Sequence, residues 1–302
     1  MNTGHGLIDV QELDATLRRG SPPRLVLLDV RWRLGGPPPA ELYASGHLPG
    51  AVAVDLDRDL AAPAGDGARG RHPLPEPAAL QEALRRWGIN EDSRVVAYDE
   101  ADGTSAARAW WLLRWAGLEG VRVLDGGIAA WTAAGLALTT ELPSPRSGNV
   151  VVRPGAMPVL DAEGAAALIA GGGVLLDGRV EARYRGEVEP VDPVAGHIPG
   201  ARSAPTGDNV DASGRFLGAK QLRKRFAGFG VEPGRAVGAY CGSGVTAAQE
   251  VLALHLAGVP AALYAGSWSE WVADPSRPVE TGPDRAGGDS IARSGPGGGD
   301  SP

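Results

Sequence analysis

The apolar positions of this chain fall into short runs separated by amphipathic stretches, and the runs come in two matching sets. Val26–Asp29 and Val174–Asp177 each read Val-Leu-Leu-Asp. Runs this short, bounded by polar residues, predict strands buried in a parallel sheet. Val95–Tyr98 and Ala236–Tyr240 read the same way, as do Val121–Leu124 and Ala261–Tyr264. Pro77–Trp87 and Ala219–Phe229 carry apolar residues on one face only and predict amphipathic helices. Ala106–Ala116 and Ala247–Ala257 predict further helices, stopped by Gly117 and Gly258. Asp9 and Asp161 stand where a first helix of each set begins, as capping acceptors for its free N–H groups. Strand and helix alternate throughout. The fold class expected is therefore α/β, in two tandem domains, each a mostly parallel central sheet flanked by helices.

Longer motifs repeat in the same order. Val26–Arg31 (VLLDVR) answers Val174–Arg179 (VLLDGR), and Gly46–Ala51 (GHLPGA) answers Gly196–Ala201 (GHIPGA). Val95–Asp99 answers Val237–Cys241, and Asp125–Trp131 answers Ala265–Trp271. The offset shrinks from about 150 residues to about 140 along the copy, far too long for a solenoid. The first copy therefore carries an extra stretch, placed at Ala61–Pro75. The division expected is a first domain at 6–139, a proline-rich linker at 140–157, a second domain at 158–281 and a disordered Gly/Ser/Pro-rich tail at 282–302.

A net charge of −7 over 302 residues is poorly suited to gripping phosphate backbones, so nucleic acid is not expected as a partner. No apolar run is long enough to span a membrane, and the N-terminal residues lack the basic and apolar pattern of a signal peptide. Cys241 is the single cysteine, which excludes an intramolecular disulfide and a thiolate metal cluster. The five histidines are too scattered for a metal site. No metal or cofactor is expected, and the compartment expected is the cytoplasm.

Candidate chemistry concentrates at Ala239–Gln249. A buried strand ends, Cys241 follows at once, and a helix starts near Ala247. Between them Gly242 and Gly244 alternate with Ser243 and Val245. Such glycines let successive backbone N–H groups converge at a helix start, which favours an anion there. A cysteine in that place is expected to react as a thiolate. Ser243 and Thr246 add hydroxyl donors. A cysteine phosphatase needs an arginine six positions on, where Ala247 stands. A phosphate-binding P-loop needs a lysine that is absent here, and a cysteine hydrolase needs a histidine base that spacing alone does not assign.

Five motifs, Asp177-Gly-Arg179, Arg183-Tyr-Arg-Gly186, Gly196–Ala201, Cys241–Ala247 and Gly266–Trp271, taken in this order, resemble the rhodanese superfamily, specifically its two-domain thiosulfate/3-mercaptopyruvate sulfurtransferases. The resemblance spans residues 6–281. It implies that Cys241 takes sulfur from a small donor, thiosulfate or 3-mercaptopyruvate, as a persulfide. The persulfide would be stabilised by the backbone of Gly242, Ser243, Gly244, Val245, Thr246 and Ala247, and passed to cyanide, a thiol or a thioredoxin-like acceptor. It implies that Arg183 binds the donor, that Asp177 and Arg179 are structural support, and that the first copy is silent because Asp99 stands where its cysteine would be. It also implies a relay of Ser243, His72 and Asp57, the last two supplied by the first domain. One departure stands out. The 3-mercaptopyruvate branch has a second substrate arginine nine residues after the first, and here that position is Asp192 in Glu189-Pro-Val-Asp192. An acid there is expected to weaken carboxylate binding, with Arg185 and Arg202 as candidate substitutes. The donor therefore stays open between the two. The alternatives are a persulfide carrier and a non-enzymatic tandem binding module.

Overall fold

The computed structural model describes residues 6–19 and 24–284. The first half forms five strands: β1 (Leu7–Ile8), β2 (Leu25–Asp29), β3 (Ala51–Ala53), β4 (Arg94–Tyr98) and β5 (Val121–Leu124). The second half forms β6 (Val159–Leu160), β7 (Val174–Asp177), β8 (Arg202–Ser203), β9 (Val237–Tyr240) and β10 (Ala262–Tyr264). The two sheets have the same order, β1-β5-β4-β2-β3 and β6-β10-β9-β7-β8, and every pairing is parallel. β4 and β9 are the central strands and are buried almost throughout, which is why they read as unbroken apolar runs. In such sheets, functional loops gather beyond the carboxyl ends of the strands, and Cys241 directly follows β9.

The repeated motifs are repeated because each copy needs the same internal scaffold. In the first copy Arg31 grips Asp29 at 2.8 Å and donates to the Gly46 carbonyl. In the second, Arg179 grips Asp177 at 2.6 Å and donates to the Gly196 carbonyl. Tyr98 and Tyr240 each accept from the backbone of the next motif, at Leu48 and Ile198. His47 and His197 stack on Tyr43 and Tyr184 at 3.7 Å. All four of these ionic side chains are buried, so their mutual pairing is what makes their burial tolerable.

The two domains share one apolar core. In the helix Thr104–Trp115 every residue from Ser105 to Leu113 is buried, and in the helix Thr246–Leu256 every residue from Ala247 to Leu254 is buried. A helix buried on all sides has to lie between two layers. Each packs against its own sheet and against the other helix, so their residues belong to a single cluster. Trp110 meets His255 with ring centres 5.4 Å apart, and Gln249 donates across the boundary to the Asp102 carbonyl.

Residues 140–157 form no helix or strand and run along the first domain, where Gly148 and Arg153 donate to the carbonyls of Arg85 and Ala116. The Ala61–Pro75 stretch reaches across to the second domain, where the Arg71 N–H donates to Ser269 Oγ. Of the expected tail, 285–302 lies outside the described residues. Residues 282–284 are fastened to the second domain: Gly282 donates to the Arg185 carbonyl, and Asp284 pairs with Arg202 at 2.8 Å. Among the described residues, no helix is long and apolar enough to cross a membrane.

Candidate active site

Cys241 is 2 % exposed, and its Sγ accepts the Gly244 N–H at 3.2 Å. Among the N–H groups expected to converge on the sulfur, that of Gly244 is the one that makes a hydrogen bond to it. Gly244 has φ +79, and a Cβ there would lie 2.1 Å from the Ala265 carbonyl oxygen. Only glycine fits this corner. The rest of the loop is tied to the segment after β10. The Cys241 N–H donates to Ser267 Oγ at 3.1 Å, while Trp268 and Ser269 donate to the carbonyls of Cys241 and Gly242. Ser267 has φ +55, the one positive φ outside glycine among the described residues. Its hydroxyl also donates to the Tyr264 carbonyl, so a strained backbone is held by two hydrogen bonds at the cysteine. Val245 and Ala247 are buried, and the following helix begins at Thr246, one residue earlier than expected.

The three relay residues meet. His72 Nδ1 is 2.7 Å from Ser243 Oγ, and His72 Nε2 is 3.0 Å from Asp57 Oδ1. A carboxylate only accepts, so Nε2 carries the hydrogen and Nδ1 accepts from the Ser243 hydroxyl. Burial lowers the His72 pKa below its ordinary 6.5, although Asp57 pulls the other way. The imidazole is therefore a neutral acceptor at neutral pH. Trp32 donates to the other Asp57 oxygen at 2.9 Å and packs edge-on against His72. A cleft of about 480 Å³, lined in part by Trp32, Leu34, Asp57, Arg71 and His72, opens onto this group.

Arg183 faces Gly242 of the cysteine loop and is held by two acids. Its Nε and Nη2 donate to Glu189 at 3.1 and 2.6 Å, and Nη2 also donates to Asp192 at 3.0 Å. Burial pushes the Glu189 carboxyl up, but Arg183 and the N–H groups of Asp192 and Val191 outweigh it and hold it below the usual range. Asp192 also pairs with Arg71, which comes from the first domain. Arg185 and Arg202, the candidate substitutes, pair instead with Glu181 and Asp284. Asp177 and Arg179 form the buried pair described above, and the Arg179 guanidinium also lies over the Trp268 ring.

Two further residues escaped the sequence reading. Arg71 has no distinguishing context within a loop rich in Gly and Arg. Arg108 lies fully buried in the interdomain helix, donating to the carbonyls of Leu60, His72 and Gly244. It thus joins the relay's backbone to the cysteine loop. Burial lowers its pKa to about 10, opposed by attraction from Cys241. Its signal was present in the sequence, as a cation inside the otherwise apolar run Ala106–Leu113.

In the first copy, Asp99 replaces the cysteine. Its carboxylate accepts N–H groups of Gly103, Ser105 and Ala106 at 3.0 to 3.1 Å. Despite lacking the Gly-x-Gly spacing, that loop still gathers N–H donors, and they close on the chain's own side chain. Burial outweighs these donors and raises the Asp99 pKa to about 7.

Comparison with known proteins points to one family. The family model of the rhodanese-like domain matches twice, at residues 9–134 and 161–274. A Pseudomonas aeruginosa protein, provisionally named a 3-mercaptopyruvate sulfurtransferase, is 52 % identical over 91 % of this chain and 98 % of its own length. SseB of Mycobacterium tuberculosis, provisionally named a thiosulfate sulfurtransferase, is 48 % identical over 92 % of this chain and 98 % of its own. The crystal structure of SseA from Escherichia coli, described as a 3-mercaptopyruvate sulfotransferase of rhodanese fold, superposes with a TM-score of 0.76 at 32 % identity. It covers 87 % of this chain and 98 % of its own.

Proposed function

The chain belongs to the rhodanese family, and from that premise we propose that it transfers the thiol sulfur of 3-mercaptopyruvate, through a Cys241 persulfide, to a thiophilic acceptor such as cyanide, a thiol or a thioredoxin-like protein. The observation that carries the choice of donor is the hydrogen-bonded set Ser243–His72–Asp57 beside the cysteine loop. The Cys241 thiolate attacks the donor sulfur, the S–S bond forms, and the donor's C–S bond breaks. Its electron pair leaves on C3 of pyruvate as the enolate. The proton of the donor thiol must reach that carbon, so that a persulfide anion and neutral-methyl pyruvate remain. A serine hydroxyl bonded to a neutral imidazole can take one proton and return another, and Asp57 holds the ring for this. The Gly244 N–H, already on Sγ, supports the negative sulfur.

Thiosulfate is the second reading, supported by the relationship to SseB. There the S–S bond breaks to sulfite and no proton moves, so the relay would have nothing to do. The test is a comparison of kcat/KM for the two donors with cyanide as acceptor. Mass spectrometry then asks whether each donor adds one sulfur to Cys241. The expected result is preference for 3-mercaptopyruvate and a sulfur adduct absent from Cys241→Ser. Loading by neither donor would favour a carrier fed by another enzyme, or a binding module.

A further inference from the structure

We propose that Arg108, supplied by the first domain, is a positioning residue that serves as counter-ion to the Cys241 thiolate, so that docking of the two domains sets the charge of the nucleophile. The inference deepens the reading of Cys241 given above and rests on it. Every acceptor of Arg108 is a neutral backbone carbonyl. Nη1 donates to Gly244 at 3.2 Å, Nη2 donates to His72 at 2.9 Å and Pro73 at 3.5 Å, and Nε and Nη2 share Leu60 at 3.3 and 3.2 Å. Carbonyls satisfy the N–H groups but leave a positive charge in an interior where an unpaired charge is costly. Arg71 and Arg183 also face the loop, at Gly242, but acids neutralise them: Asp192 pairs with both and Glu189 with Arg183. Arg108 is 0 % exposed, so it touches no donor and acts through its neighbours.

The repeat supplies a comparison. Arg108 stands nine residues after Asp99, and Glu250 stands nine after Cys241. The two interdomain helices exchange contacts at matching points. Arg108 takes the carbonyl of Gly244, three residues after Cys241, and Gln249 takes that of Asp102, three residues after Asp99, both at 3.2 Å. The crossing group is a cation on the cysteine side and a neutral amide on the aspartate side. Glu250 is turned to Asn209 instead. Where no cation crosses, burial and then Asp102 push the Asp99 carboxyl up to about 7 in spite of three N–H donors. At Cys241 a full charge acts together with the Gly244 N–H. The attraction is mutual: burial destabilises the Arg108 cation, and Cys241 opposes that effect. The same charge reaches the relay. Burial, and then Arg108 and Arg71, hold His72 below its ordinary range against the pull of Asp57. One cation thus favours the reactive form of both groups, a thiolate and a neutral imidazole.

The experiment follows alkylation of Cys241, the single cysteine, by iodoacetamide between pH 4 and 9 in wild type, Arg108→Met, Arg108→Gln and Arg108→Lys. In the same proteins the His72 ring is titrated by NMR, its signal identified by its absence from His72→Gln. In the two neutral variants the alkylation midpoint should move up by about one pH unit or more, a ~10-fold slower reaction below it. The His72 midpoint should move up as well. Lysine keeps the charge but not the fork, so Arg108→Lys should hold both midpoints near those of wild type. Alkylation midpoints that stay in place in a folded neutral variant, or that move as far in Arg108→Lys as in the neutral variants, would overturn the proposal. If neither neutral variant folds, Arg108→Lys decides alone: a wild-type midpoint supports the counter-ion, and one displaced by about a unit overturns it. Neither readout uses a donor. Midpoints that follow the charge in a protein that neither donor loads with sulfur would leave the counter-ion standing and remove the transfer reading.

Discussion

His72 and Ser243 are 171 residues apart in the chain, yet Nδ1 and Oγ lie 2.7 Å from each other across the domain boundary. In the proposed reaction, the pair makes the second domain's chemistry dependent on the first. It also separates the two donors, since only one of them has a proton to move. His72→Gln should therefore lower kcat/KM for 3-mercaptopyruvate by about 10²- to 10³-fold, the usual weight of a positioned base. Transfer from thiosulfate, where wild type supports it, should stay within a few-fold. Equal losses with both donors would assign His72 a structural role.

The same histidine predicts a pH dependence. Burial lowers its pKa in the folded protein below 6.5. The relay needs the neutral ring, so the acid limb of kcat for 3-mercaptopyruvate should fall below pH 6.5 and vanish in His72→Gln. For stability the sign is the same. The unfolded chain takes up the proton first as pH falls, so His72 weakens the fold from about pH 6.5 downward. Steady-state rates between pH 5 and 8 check the first expectation.

Glu250 lies fully buried in the helix that follows the cysteine loop, with one oxygen bonded to Asn209 at 2.6 Å and the other unpaired. Burial raises its pKa to about 7 from 4.5. A raised carboxyl pKa contributes stability at low pH that is lost as pH rises through the folded value. Glu250→Gln escapes that loss. Urea unfolding should find it more stable than wild type at pH 8 by roughly 3 kcal/mol, and no more stable at pH 4.

The pairs Asp29–Arg31 and Asp177–Arg179 predict matched effects in the two copies. Removing either arginine leaves a carboxylate buried at 3 % exposure or less. Arg31→Met and Arg179→Met should each cost about 3–5 kcal/mol in denaturant unfolding. A cost confined to the second copy would show that the motif serves the site and not the scaffold.

Much of this molecule was legible in its sequence because the repeat encodes the scaffold twice. Short apolar runs marked the strands, and Asp-x-Arg and Gly-His-x-Pro-Gly-Ala recur since each copy must bury the same charges. Cys241 was legible through its glycines. What stayed hidden depends on docking. Arg71 is an ordinary cation until the second domain arrives, and nothing local distinguishes an arginine that meets Asp192 from one in water. Asp192 itself was readable as an acid beside Arg183, but its second partner was not. Ser267 gave no sign, because a positive φ on serine follows from the crossing of two loops. The nest around Asp99 was missed because three N–H groups can gather without the expected glycine spacing.

The Ala61–Pro75 stretch has a consequence for how such a protein can be assembled. It occurs in one copy only, and both His72, the base of the proposed reaction, and Arg71 come from it. A dimer of second domains would have two cysteine loops and no imidazole to serve either, while a dimer of first domains would have two imidazoles and no sulfur nucleophile. The site cannot be rebuilt by symmetry. Once the copies diverged in this way, covalent linkage in one polypeptide became the means of guaranteeing one of each.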